Sequence, residues 1–358
     1  MELLEIDGSK GEGGGSILRL SAALGIIFKK RIHVYNIRAG RKVPGLRAQH
    51  VMGLQALKEL SNGKLEGANV KSMEITFEPG EVKPGNINIK IGTAGSIGLV
   101  YQILSIACAG IKLKEGEKIE VNINGGATFG KWAPASSYIS YVLIPLLKIM
   151  GFQSELVVQK HGFYPKGGAA AKIKFSPNKK LNGLVLEDRG AIEKIEGESV
   201  ATTHLKNPRV SERQMKSARQ NLSKEIDPSK ISIKYNYVDA LNPGSGITLW
   251  AKTSKGCILS SGSVIGEKGV SSEKVGGEAS KELLNLILGH PEATVDEYSS
   301  DQLIPFMALC KEKSLIVVPK LTKHAKTNIE LLKMFSNRPV NIDERKNKVM
   351  LEFPSISE

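Results

Sequence analysis

The sequence predicts a layered protein of the α/β (α+β layered) class, carrying one small inserted α+β domain. Three observations predict it. An amphipathic helix followed by a strand or hairpin occurs three times along the chain. Glycine, 37 residues in all, gathers at strand-to-helix turns, where backbone must pass close to a neighbour or a ligand. One stretch, from about Leu184 to Gly276, differs in texture from its surroundings.

The first unit has a short apolar strand, LLEID, then a helix over roughly Gln49 to Leu60 that leads to KSMEITFEPG. The second has a strand in NINIKI, the helix YISYVLIPLLKIMG and the strands of QSELVVQKHGFYPKGGAAAKIKF. The third has the helix TNIELLKMFSN and then RPVNIDERKNKVMLEF. Leu57, Leu147 and Leu332 mark matching positions, 90 and then 185 residues apart, so the last unit carries a surplus of 95. The surplus fits residues 184–276, which hold the helix pattern SERQMKSARQNLSKEI between ISIKYNYV, GITLWAKT and GCILSSGSVI. The Ser/Gly-rich segment from Lys268 to Gly277 reads as a return linker. The expected division is therefore a large domain, 1–183 with 277–358, and a small domain, 184–276.

A chain of 358 residues exceeds the usual size of one hydrophobic core. With 41% apolar and 24% charged residues, it reads as an ordinary soluble globular protein. No apolar run reaches the length of a membrane span. The N-terminus has no basic segment followed by an apolar one, so a cytoplasmic protein with no membrane partner is expected. Cys108, Cys257 and Cys310 are far apart, which points to buried thiols and away from a disulfide or zinc framework. A formal charge of +14 favours polyanions: nucleic acid, nucleotides or an anionic membrane surface. Only 5% of residues are aromatic, which argues against a broad base-stacking platform; if RNA binds, recognition of phosphates, as at a strand end, is expected.

Several segments bear chemistry, and each also has a packing explanation. GEGGGSILR, residues 11–19, follows a strand and opens a helix, so its backbone N–H groups suit an anion. Glu12 would repel that anion unless a divalent ion stood between them. IRAGRKVPGLRAQH, residues 37–50, gathers Arg38, Arg41, Lys42, Arg47, Gln49 and His50, a set suited to phosphate or to a solvated basic face. GTAGSIGLVYQ places Ser96 and Gln102 beside a small-residue turn. In NGGATFGKWAPASSY, Trp132, Pro134 and Tyr138 offer an apolar wall for a purine ring, or core. His161 lies in HGFYPKGG, where a structural role is the expectation. Asp301 and Gln302 precede an apolar helix, which Asp301 or a nearby serine would cap. In VVPKLTKHAKTNIELL, a buried strand runs through a turn to His324, with Thr327 and Asn328 just beyond. Open sheets commonly place ligands at such a strand end.

Together, EGGGSILR, IRAGRKVPGLRAQH, GTAGS, HGFYPKGG, Tyr298 to Gln302 and His324 to Asn328 resemble the RNA 3'-terminal phosphate cyclases, in family order and almost from end to end. The resemblance implies three repeated βαβαββ units, similar to the C-terminal domain of translation initiation factor three, plus the small insertion. It implies an ATP-dependent ligase that turns an RNA 3'-terminal phosphate into a 2',3'-cyclic phosphodiester. AMP would be carried first on a histidine, here His324, then on the RNA as an RNA-(3')pp(5')A end. Glu12 matches a carboxylate that holds Mg²⁺ or Mn²⁺ at the ATP phosphates. Gln49, Pro134, Tyr138, Tyr298, Asp301 and Gln302, with Glu12, match nucleotide-binding positions. Arg19, Arg38, Arg41, His50 and Gln102 match groups that grip phosphate or the RNA end. RNA with a 3'-terminal phosphate is the implied partner, and a homodimer is compatible with it. The segment near Lys131 departs from the family register by one residue. A noncatalytic ribosome-assembly relative is the nearest alternative, and His324, Thr327 and Asn328 argue against it. An enolpyruvyl transferase suits three units and an insertion poorly. A plain RNA-binding module would show no dependence on ATP or on a 3'-phosphate.

Overall fold

The computed structural model describes residues 1–176 and 180–356, so the expected C-terminal limit at 358 lies outside the described residues. The first sheet is built from β1 (Leu3–Asp7), α1 (Gly15–Phe28), β2 (Arg31–Tyr35), α2 (Ala48–Ser61), β3 (Lys64–Glu66) and β4 (Ile75–Glu78). Its strand order is β1-β2-β4-β3, with β1 and β2 parallel and the other pairs antiparallel. In β2 the alternation of RIHVY buries Ile32 and Val34 and turns the basic and aromatic positions outward.

The second sheet uses β5 (Gly85–Ser96), α3 (Ile97–Ala109), β6 (Ile119–Ala127), α4 (Ser136–Tyr138), a π-helical turn (Ile139–Leu143), α5 (Ile144–Ile149), β7 (Ser154–Lys160) and β8 (Ala170–Phe175). Its order, β5-β6-β8-β7, repeats that of the first sheet, again with only its first pair parallel. Helix α3 is buried at most of its positions because α1, α2 and α8 (Glu297–Leu309) all pack on it.

The inserted stretch forms a separate four-stranded sheet. Its elements are β9 (Ile192–Thr202), α6 (Val210–Leu222), β10 (Ile231–Val238), β11 (Ser245–Thr253), β12 (Ile258–Ile265) and α7 (Ser272–Gly289), with order β10-β9-β11-β12. The expected return linker from Lys268 to Gly277 is corrected here. Ser271 accepts a hydrogen bond from Lys274 N and caps α7, and Val275, Ala279, Leu283 and Ile287 share one face. That face joins the same hydrophobic cluster as Ala218 and Leu222 of α6 and Leu249 of β11. The expected boundary at 276 therefore falls inside a helix of the inserted layer. The start also moves. Leu186 N donates to Leu315 O and Leu315 N donates to Leu184 O, so residues 184–186 pair with the sheet that follows.

After α8, that sheet comprises β13 (Ser314–Val318), β14 (Asn341–Arg345) and β15 (Lys348–Phe353), in the order β13-β15-β14, with α9 (Lys323–Phe335) between β13 and β14. All five residues of β13 are buried, as expected for a strand flanked on both edges. The largest cluster runs through all three sheets outside the insertion and takes in Trp250, Ile258 and Leu259 from the insertion. The three cysteines are free and buried, as expected. No helix among the described residues is long and apolar enough to cross a membrane.

Candidate active site

The Gly-rich turn after β1 and the start of α9 meet. Glu12 N donates to Thr327 Oγ1 at 2.9 Å, and that hydroxyl donates in turn to Lys323 O at 2.7 Å. The contact explains Gly11: its φ is +60°, and a Cβ there would lie 2.3 Å from Thr327 Oγ1. Glu12 is thereby held with its side chain only 5% exposed. Arg41 reaches it from the loop after β2, through Nη2 to Oε2 at 2.6 Å and to the Glu12 carbonyl at 2.9 Å. His324, the second residue of α9, brings Nδ1 to 3.9 Å from Glu12 Oε1 and leaves half of its side chain exposed. Gly14, just before α1, has no side chain to cap the helix, and Glu12 Oε1 accepts from Ser16 N at 3.4 Å.

Behind the turn, the half-buried Arg19 and the buried His50 lie against Gly15, through Nη1 and Nε2. Burial pushes Arg19 down to about 10, with Glu12 acting the other way. Burial, then the cations Arg19, Arg38 and Arg47, push His50 down to about 3. His50 is thus neutral near pH 7. Its Nδ1 accepts from Arg47 N at 3.0 Å, so any N–H it carries is on Nε2, facing the site. Arg38 has φ +56° and donates from Nη1 to the carbonyls of Val43 and Gly45 at 2.9 and 2.8 Å, so it shapes its own loop. Gln49 is exposed in the first turn of α2.

Helix α8 forms another wall. Arg19, Gln102, Asp301 and Asn328 line one small cleft with Ser16 and Pro305. Asp301 Oδ1 accepts from the Thr322 hydroxyl, and Thr322 caps α9 by accepting from Ala325 N at 2.9 Å. Burial raises Asp301 to about 7, with the Thr322 hydroxyl opposing. Asn328 Nδ2 donates to the Asp301 carbonyl at 2.9 Å, while Asn328 Oδ1 and Gln302 Oε1 are buried without a partner among the described residues. Tyr298 is 56% exposed on the same helix.

The family described as RNA 3'-terminal phosphate cyclase matches residues 10–342. The chain belongs to that family. Its similar relatives include the RNA 3'-terminal phosphate cyclase of Pyrococcus furiosus, 41% identical over 333 residues and 93% of each chain. The protein of that name from Thermococcus kodakarensis is 40% identical over 94% of this chain and 93% of its own. The one from Caldivirga maquilingensis is 38% identical over 99% of both.

Within this cyclase-family chain, the residues expected to touch a nucleotide do not all lie open. Tyr138 is corrected from a purine wall to core: it is 2% exposed, and its hydroxyl donates to Asp296 Oδ1 at 3.0 Å. Trp132 is almost wholly exposed, and Pro134 is half-buried with its carbonyl against Gly98. His161 keeps the expected structural place, 3.0 Å from Thr128 Oγ1, and burial lowers it to about 4. Helix α8 is capped by Asp296, not by Asp301, because it starts at Glu297. Two residues escaped sequence reasoning, Thr322 and Asp296. An N-cap signal was present at each, a Thr before KHAKTNIELL and an Asp before EYSSDQL.

Proposed function

We propose that this protein is an ATP-dependent RNA 3'-terminal phosphate cyclase acting through an adenylylated His324. The observation that carries the proposal is the convergence of Glu12, Arg41 and His324 at the start of α1, where Glu12 also accepts from Ser16 N. A histidine there faces a place suited to phosphate, with one ring nitrogen toward a carboxylate. Nδ1, the nitrogen nearer Glu12, carries the proton, and Nε2 keeps its lone pair. Nε2 attacks the α-phosphorus of ATP, the bond to the bridging oxygen breaks, and pyrophosphate leaves. An oxygen of the RNA 3'-phosphate then attacks the same phosphorus, the P–N bond breaks, and His324 is regenerated. The 2'-hydroxyl finally attacks the 3'-phosphorus and AMP leaves, its proton passing to solvent or a nearby base. Splitting the condensation this way replaces one difficult step with easier ones.

Arg41, Arg19, the neutral His50 and Gln102 orient phosphate oxygens in this reading. Tyr298, Gln49, Pro134 and Gln302 contact the nucleotide, the last through its unpartnered Oε1. Asp301 acts through Thr322 by fixing the start of the histidine's helix. Among the described residues, no cluster of three or more His, Cys, Asp or Glu makes a metal cage. A lone carboxylate beside phosphates still fits Mg²⁺ or Mn²⁺, which keeps several waters and shares phosphate oxygens. Glu12 would hold the ion, and the ion would offset phosphate charge. The matching orders of the first two sheets, and of 184–186 with β13, β15 and β14, support three copies of one βαβαββ unit, the kind found in translation initiation factor three. A cytoplasmic location and assembly as a homodimer complete the reading.

Incubation with ATP labelled at the α-phosphate, Mg²⁺ and no RNA tests it. The wild type should take up acid-labile, alkali-stable label, His324→Ala none, and RNA bearing a 3'-phosphate should discharge it. A folded wild type without label under several metals would remove the covalent mechanism.

A further inference from the structure

Asp296 is a buried carboxylate that the reaction above does not use, yet it ties three parts of the molecule together. Its Oδ1 accepts from Ser299 N at 2.8 Å, capping α8, and from the Tyr138 hydroxyl at 3.0 Å. Its Oδ2 accepts from the Ser299 hydroxyl at 2.8 Å and from Ser260 N of β12 at 3.0 Å. Ser260 in turn donates to Leu249 O at 2.7 Å and accepts from Gly262 N at 3.1 Å. Between Ser260 and Ser263 the pairing of β12 with β11 slips, and Gly262 takes φ +74°, the form of a β-bulge. The bulge seats Tyr298: a Cβ on Gly262 would lie 3.1 Å from the tyrosine ring. Tyr298 as a whole remains 56% exposed.

We propose that the inserted sheet takes part in nucleotide binding by seating Tyr298 on the Gly262 bulge, with Asp296 as the positioning residue that clamps seat and ring together. This deepens the function proposed above and rests on its assignment of Tyr298 to the nucleotide. The ligand class is the base of an adenine nucleotide, stacked on the ring's open face. A carboxylate suits the clamp because all four of its bonds are accepted ones; an amide in its place turns a donor toward an N–H or a hydroxyl. The insertion then has a chemical role that its distance in sequence from the other site residues conceals.

Affinity for AMP, read by calorimetry on the whole chain, tests the clamp without requiring catalysis. Asp296→Asn should weaken AMP binding by about tenfold, the scale of one base–aromatic stack. Affinity for ribose 5-phosphate, which lacks the base, should not change. In a Tyr298→Ala background, Asp296→Asn should have no further effect, because its action passes through that ring. Multiplicative losses in the double variant, or equal losses for both ligands, would overturn the proposal. Should Asp296→Asn fail to fold by circular dichroism, Gly262→Ala disturbs the same seat from the β12 side and should give the same pattern; unchanged AMP affinity there would overturn it too. A wild type that binds AMP but takes no label from ATP would sink the histidine mechanism and leave the seat standing. A wild type that does not bind AMP would sink the seat.

Discussion

At the scale of single residues, one hydroxyl joins the two halves of the site. Thr327 Oγ1 receives Glu12 N and gives to Lys323 O, so it fastens the Gly-rich turn to the histidine's helix. Replacing Thr327 with Val keeps the shape and removes both bonds. The lost acceptor leaves a partly buried N–H unpaired, which costs about 1–3 kcal/mol. Thr327→Val should therefore lower stability to urea by that amount, and it should slow labelling of His324 at least tenfold because Glu12 loses its anchor. Unfolding midpoints and initial labelling rates check the two parts separately. A stable variant labelled at the wild-type rate would show that Arg41 and Ser16 N hold Glu12 without Thr327. The role of Thr327 was half legible in the sequence. The segment from His324 to Asn328 stood out, but the hydroxyl's partner is more than 300 positions away, and no local pattern points across that span.

Among the secondary-structure elements, the junction of α8 with α9 couples charge to geometry. Thr322 caps α9 and gives its own proton to Asp301, so a side chain of one helix fixes the first turn of the next. Loss of such a cap costs about 1 kcal/mol. Burial raises Asp301 from 3.8 to about 7. A raised carboxyl binds its proton more tightly in the folded state, so its contribution is complete below about pH 4 and fades as pH rises through 7. Asp301→Asn keeps the acceptor for Thr322 and cannot ionise. The wild type should lose urea stability between pH 5 and pH 8, and the variant should lose less of it. Equal losses in the two proteins would place the titration elsewhere. Local signals served the helices well, since Gln49 to Leu60 lies inside α2 and the third helix, TNIELLKMFSN, overlaps α9 and overruns its end by two residues. They failed at Lys268 to Gly277, where Ser and Gly suggested a linker. Ser271 there is a cap, and the small residues let α7 pack on α6: a Cβ on Gly276 would lie 2.1 Å from Gln214 O.

Across the whole molecule, the sheets outside the insertion share one core while their loops supply one site, and that division decides what the sequence could show. The spacing of 90 residues, the surplus and the chemistry-bearing turns were all legible, because each unit repeats the same local alternation of helix and strand. The insertion's docking was not, because it rests on pairs such as Tyr141 stacked on Trp250 at 4.7 Å and Ser137 bonded to Glu198 at 2.6 Å, whose partners lie far apart in the chain. The charge of +14 belongs to this scale too. Around the turn that holds Glu12, Arg38, Lys42, Arg47 and Lys323 have no carboxylate within ion-pair distance among the described residues, although the chain holds 36 acidic residues that would neutralise them. Cations left unpaired beside this Gly-rich turn suit the backbone of a single strand. If these four meet RNA phosphates, release of their counterions predicts a slope of about −3 in log affinity against log salt. Binding of a 3'-phosphate oligonucleotide to His324→Ala, measured from 50 to 300 mM KCl, should show that slope. Lys42→Ala and Lys323→Ala should each flatten it by somewhat less than one. A slope near zero would mean that the positive field steers nothing at this site, and that RNA is held by its terminal phosphate alone.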